Sequence, residues 1–177
     1  DVLRLSYLNA HLQTGLASPL DEAIVASAEQ AGEPGIGERK VDEIPYDFVR
    51  KRLSVITANA RDERTLITKG SLESMLAICT RIQARDGVRT FDVAHRAEID
   101  QRYSAWSSQG FRVLGVAFKA VDARPGSYAF ADENEMIFAG FLIFMDPPKA
   151  GVRQAIADLA ARGVRLKIIT GDNQKVA

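Results

Sequence analysis

The chain has 177 residues, 46% hydrophobic and 26% charged, enough to bury one ordinary core at average globular composition. Lys and Arg number 23, as do Asp and Glu, so the net charge is zero and composition gives no case for nucleic acid or an anionic membrane surface as partner. The single cysteine, Cys79, excludes an internal disulfide and fits a reducing compartment. The longest apolar run, 136–145, is about half the ~20 residues that a membrane-spanning helix needs.

In chain order, Arg4 to Gln13 carries Leu5, Leu8 and Leu12 on one helical stripe, with Gly15 as a stop. Ser18-Pro19-Leu20-Asp21 opens a second helix: Ser18 caps, Pro19 suits the first helical position, and Asp21 completes a capping box. Its expected buried stripe is Leu20, Ala23, Ile24 and Ala28. The glycines of 31–40 follow no strand and open no helix, so they match no phosphate-binding fingerprint. The period then changes to two. Val41 to Pro45, Leu53 to Ala58 and Thr65 to Lys69 read as strands, followed by a helix over Ser71 to Ile78, whose apolar run Met75, Leu76 and Ile78 is followed by Cys79 as a small core residue. Residues 81–91 predict a hairpin turning at Asp86-Gly87, and Asp92 to Gln109 a helix burying Ile99, Tyr103 and Trp106. Phe111 to Val121 and Glu135 to Met145 predict two long apolar strands. Beyond Pro147-Pro148 the pattern becomes helix, glycine and buried strand: Val152, Ala155, Ile156 and Leu159, then Gly163, then Val164 to Ile169. That is half of a parallel βαβ unit, which sets a domain boundary at about Asp146. The two histidines, His11 and His95, are too far apart and too lacking in companions to suggest a metal site.

Three motifs occur in order: Lys69-Gly70-Ser71, Asp146-Pro147-Pro148-Lys149 and Thr170-Gly171-Asp172-Asn173. With an apolar strand before the double proline and a helix–strand unit after it, they resemble the P-type ATPases, cation pumps that form an aspartyl-phosphate. The similarity covers nearly the whole chain. It implies an α+β nucleotide-binding domain over 1–145, an antiparallel β-sheet flanked by helices, and over 146–177 the helix–strand start of an α/β phosphorylation domain. The stretches LNAHLQTGL (8–16) and DEIPYDFVRKRLSV (42–55) look most like the bacterial magnesium-transporting branch. The family's phosphorylated aspartate, in a DKTGT motif, has no counterpart in these residues. The resemblance therefore implies a piece that begins downstream of that motif, binds nucleotide, and does not hydrolyse it alone.

Carried over residue by residue, the resemblance makes Phe48 the adenine-stacking ring, Lys69 the pocket cation and Gly70 the point of close ring approach. Adenine is flat and electron-rich and its phosphates are anionic, so a ring face, a cation and an open backbone suit it. Lys69, at a strand end, is expected to keep its ammonium in water. Asp21 is placed to contact the adenine amino group, although the capping box alone would justify it. Arg112 is either a phosphate contact or an edge-of-strand ion pair. Arg50, Lys51 and Arg52 follow Phe48, and one of them could help with phosphate. Asp146 with Thr170, Gly171 and Asp172 would face the γ-phosphate and Mg²⁺.

The resemblance further implies ATP and Mg²⁺ as cofactors, and the phosphorylation, actuator and transmembrane domains of one polypeptide as partners. It implies a cytoplasmic position at a bacterial inner membrane, with the isolated piece monomeric. A haloacid-dehalogenase-like phosphatase fragment is the alternative, because the Thr170-Gly171-Asp172 half suits either. Lys-Gly at a strand end beside a Phe pocket speaks for the pump.

Overall fold

The computed structural model describes residues 2–15, 18–32, 37–145 and 151–167. Helices α1 (Val2–Leu12) and α2 (Pro19–Gln30) precede three strands, β1 (Arg39–Asp47), β2 (Arg52–Ala58) and β3 (Arg64–Ser71). Helix α3 (Leu72–Ile78) leads into the hairpin β4 (Cys79–Ala84) and β5 (Gly87–Thr90), and then α4 (Val93–Ser108). Strands β6 (Arg112–Val121) and β7 (Met136–Phe144) and helix α5 (Val152–Ala161) follow.

The seven strands form one sheet in the order β1-β2-β3-β6-β7-β4-β5, so the fold is α+β as the sequence suggests. Five of its six pairings are antiparallel, and β4 runs parallel to β7. The parallel pair follows from α3: a strand–helix–strand crossover brings the chain back in the direction of β3, and the β6–β7 hairpin fills the gap it leaves.

Successive residues of a strand point to opposite faces, and here both faces are covered. Leu66 and Ala117 face a core with Leu72, Met75 and Leu76 of α3, Ile99 of α4 and Phe138. Their neighbours Ile67 and Val116 face a second core with Leu5, Tyr7 and Leu8 of α1 and Ala28 of α2. Covered on both sides, β3 is buried continuously from Leu66 to Gly70. Asn9, fully buried on α1, donates its amide to the Leu53 and Ile67 carbonyls at 3.3 and 2.9 Å, fastening the helix to β2 and β3.

Four expectations need correction. Ala23 is exposed, and the buried stripe of α2 is Asp21, Ile24 and Ala28, because the helix is rolled to bring a carboxylate, not a methyl, onto the sheet. In α4 only Ile99 of the three expected residues is buried, while Tyr103 and Trp106 are half-covered, Trp106 lying edge-on to Phe141 with centroids 5.0 Å apart. The 81–91 hairpin turns at Arg85-Asp86 and not at Asp86-Gly87, because Gly87 already pairs with Ala84 as the first residue of β5. Helix α5 forms as the spacing predicts, with Val152, Ile156 and Leu159 exposed. Residues 164–167 carry no regular structure: a strand needs a hydrogen-bonding neighbour, and among the described residues none lies alongside. Residues 168–169 of that expected strand, Asp146 and the Thr170-Gly171-Asp172 motif lie outside the described residues.

A candidate nucleotide site at one end of the sheet

Strand register brings candidate residues on three separate segments to one end of the sheet, and an ion pair adds a fourth. Asp47 pairs with Arg52 and Arg52 with Gly70, so the 48–51 turn carrying Phe48 abuts the end of β3. Ser71 pairs with Leu114 and Arg112 with Phe144, which puts the start of β6 and the end of β7 at the same edge. The N-terminus of α2 joins them through an ion pair from Lys69 to Asp21.

That pair reverses the expectation for Lys69. Its ammonium is not in water: Lys69 is 8% exposed, Asp21 7%, and Nζ donates to Asp21 Oδ1. The reason is register: Lys69 shares its face with Ile67, toward α1 and α2, and lies opposite Leu53. A cation can stay there only if a carboxylate accompanies it, and rolling α2 supplies one. Asp21 serves two partners with its two oxygens. Oδ2 accepts from the Ser18 hydroxyl at 2.7 Å and the Ser18 backbone N–H at 3.1 Å, while the Asp21 N–H donates to Ser18 Oγ at 3.3 Å, completing the capping box. Burial opposes ionisation of Asp21, but the Lys69 ammonium and the Ser18 hydroxyl outweigh it and hold the carboxyl below its ordinary value of 3.8. Burial pulls Lys69 below the ordinary lysine value of 10.5, against the pull of Asp21.

Phe48 is 86% exposed on its turn, with the Tyr46 ring edge-on at 5.3 Å between centroids. The turn is fixed locally: Asp47 Oδ1 accepts from the N–H groups of Val49 and Arg50 at 2.9 and 2.6 Å, the Asx geometry that aspartate favours. Lys51 adopts the left-handed conformation, φ 53°, and its carbonyl accepts from Ser71 N–H at 3.0 Å.

Gly70 is required for a different reason than ring approach. A Cβ there would stand 2.5 Å from Arg52 Cβ and from the Lys51 carbonyl oxygen, and 2.8 Å from Arg52 Cα. The absent side chain lets β3 close against the exit of the turn. Arg112 is exposed at the start of β6.

Of the three basic residues after Phe48, Arg50 and Arg52 turn to Glu133, and Lys51 is exposed. Sequence reasoning passed over Glu133, which sits in the polar β6–β7 connection with no periodic signal around it; an acid opposite two nearby arginines is visible only in three dimensions. Cys79 is buried, and burial pushes its thiol up to about 12. Among the described residues no group of three or more His, Cys, Asp or Glu could hold a metal ion, and no helix is long and apolar enough to cross a membrane.

A family model described as P-type ATPase, cytoplasmic domain N, matches residues 17–151. The magnesium-transporting ATPase, P-type 1, of Escherichia coli is 36% identical over 178 residues, covering 99% of this chain. A protein of the same name from Salmonella typhimurium is 37% identical over 180 residues. The endoplasmic-reticulum-type calcium-transporting ATPase 4 of Arabidopsis thaliana is 31% identical over 159 residues and 79% of the chain. The chain spans 20% of the length of the bacterial relatives and 15% of the plant one.

Proposed function

Since this chain belongs to the P-type ATPase cytoplasmic N-domain family, we propose that it binds the adenine end of ATP at the 48–51 edge of its sheet. Phe48 supplies the stacking face, Asp21 an acceptor for the adenine amine, and Lys69, on the far side of Asp21, the charge that keeps that carboxylate ionised. Gly70 closes the strand end beneath the ring, and Arg112 reaches toward phosphate. The carrying observation is the convergence of residues 21, 48, 69, 70 and 112, scattered over 92 positions of sequence, on one sheet end, with a fully presented aromatic among them. An exposed ring beside a polar floor fits a purine, because stacking needs a free face and the exocyclic amine needs an acceptor.

In this reading residues 1–145 are the nucleotide-binding domain and 146–177 begin a phosphorylation domain, where Asp146, Thr170, Gly171 and Asp172 would meet the γ-phosphate and Mg²⁺. The apolar stripe of α5, exposed among the described residues, supports a boundary there. The whole polypeptide would couple ATP hydrolysis through an aspartyl-phosphate to cation transport, Mg²⁺ being the cation named for the bacterial relatives, at a bacterial inner membrane. Actuator and transmembrane segments would be its further partners.

Adenosine and ATP titrations followed by amide chemical shifts test the site. Both ligands are expected to move resonances of 46–51 and 69–71. Shifts only with phosphate-bearing ligands would refute the adenine assignment.

A further inference from the structure

We propose that Glu133 is a positioning residue for this nucleotide site, setting, from the sheet face opposite to that of Lys69, where the 48–51 turn presents Phe48; the inference rests on the adenine reading above. Glu133 is 2% exposed as a residue and 0% in its side chain. Its Oε2 accepts from Arg50 Nη1 at 2.5 Å and from Arg52 Nε at 2.7 Å, and its Oε1 accepts from Ser54 Oγ at 2.7 Å. Ser54 is in turn 2.7 Å from Thr68 Oγ1. The network continues through α3, where Ser74 Oγ accepts from Arg52 Nη1 at 3.0 Å and donates to the Arg50 carbonyl at 2.5 Å.

Arg50 lies within the turn and Arg52 is the first residue after it. A second arm of Arg50 donates to the Pro45 carbonyl at 2.8 Å, ahead of the turn, and its guanidinium lies 3.9 Å from the Phe130 ring centre. One acid thus gathers contacts from before, within and after the segment that carries the ring.

Two features make this a positional device more than a source of stability. A buried ion cluster is weak evidence for stability, since apolar replacements of similar volume are often neutral. The turn is also already closed by β1–β2 pairing and by Asp47. What the backbone leaves open is the tilt of the turn against the sheet. Both guanidinium groups converge on one oxygen, so without its charge two cations remain drawn to the same place and repel. The turn would then settle elsewhere, and a stacking contact is sensitive to small displacements.

The test uses the 177-residue chain and ATP affinity by calorimetry for the parent, Phe48→Ala, Glu133→Gln, Glu133→Asp, and each Glu133 variant combined with Phe48→Ala. Glu133→Gln is expected to weaken ATP about tenfold and Glu133→Asp less, because it keeps the charge. Each combined variant is expected to bind no more weakly than Phe48→Ala alone, since Glu133 acts through the ring. Parental affinity in Glu133→Gln, or losses that add in the double variants, would overturn the proposal. Should Glu133→Gln not fold, the Glu133→Asp cycle decides by the same criterion. A parent that fails to bind ATP, or a Phe48→Ala chain that binds as the parent does, would instead bring down the adenine reading and this inference with it.

Discussion

Lys69 lies on a strand covered on both faces and is 8% exposed, whereas Phe48, on the turn beside the same sheet end, is 86% exposed. The family resemblance assigns both to one pocket, yet they sit in different physical regimes. The lysine is part of the packed interior and is held by a single carboxylate, so any change to it is first a change to folding. The ring contributes almost no buried surface, so its presence asks for a reason outside the fold. A functional assay alone would not separate these two cases; stability and binding have to be measured together for each residue.

The largest effect should come from breaking the buried pair. Lys69→Ala leaves Asp21 charged, shielded and without its cation, since the two side chains are only 9% and 10% accessible. Removing one partner of such a pair is costly, about 3 kcal/mol of unfolding free energy. Adding Asp21→Asn removes the stranded charge while keeping a capping side chain, and should recover a substantial part of the loss. Urea unfolding of the parent, single and double variants measures both. A Lys69→Ala chain as stable as the parent would mean that the ammonium is solvated after all, and the contrast with Phe48 would vanish.

Why the lysine's burial was not legible follows from where its partner is. Asp21 lies 48 positions earlier, and only the roll of α2, which exposes Ala23, carries the acid onto β3. Local signals were readable where both members of an interaction lie within a few residues, as in the Ser18–Asp21 box. The five candidate site residues within the described segments come from the family resemblance; strand register brings the segments of Phe48, Lys69, Gly70 and Arg112 to one sheet end, and the Lys69 ion pair adds Asp21. What motif reading could not supply was depth, meaning which of them face solvent and which are walled in. The same limit hid Glu133, whose partners lie about 80 residues away, and the parallel β4–β7 pair, which depends on where a crossover lands.

An intermediate effect is expected with pH. The folded carboxyl of Asp21 is held below its ordinary value of 3.8, so the unfolded chain takes up the proton first as pH falls. Its contribution is therefore complete above that ordinary value and is lost as pH drops through the lower folded value. Asp21→Asn, which keeps an acceptor but not the charge, should cost about 2 kcal/mol at neutral pH. That gap to the parent should shrink below pH 3.8. A difference independent of pH from 7 to 3 would show that the charge on Asp21 contributes nothing, leaving only its cap.

The smallest change in stability should come from Phe48→Ala. The ring touches Tyr46 by its edge and is otherwise in solvent, and the turn beneath it is held by Asp47 and the Lys51 carbonyl, none of which the substitution removes. Surface changes of this kind stay within about 0.5 kcal/mol. ATP affinity should fall much further, because a base–aromatic stack is worth roughly 1–3 kcal/mol, several-fold to over a hundredfold in dissociation constant. The two measurements together sharpen the contrast with Lys69→Ala, for which the larger share of the free-energy change should appear in folding. A Phe48→Ala chain that unfolds as readily as Lys69→Ala would show that the ring braces the turn, and its exposure would then need a structural account in place of a ligand.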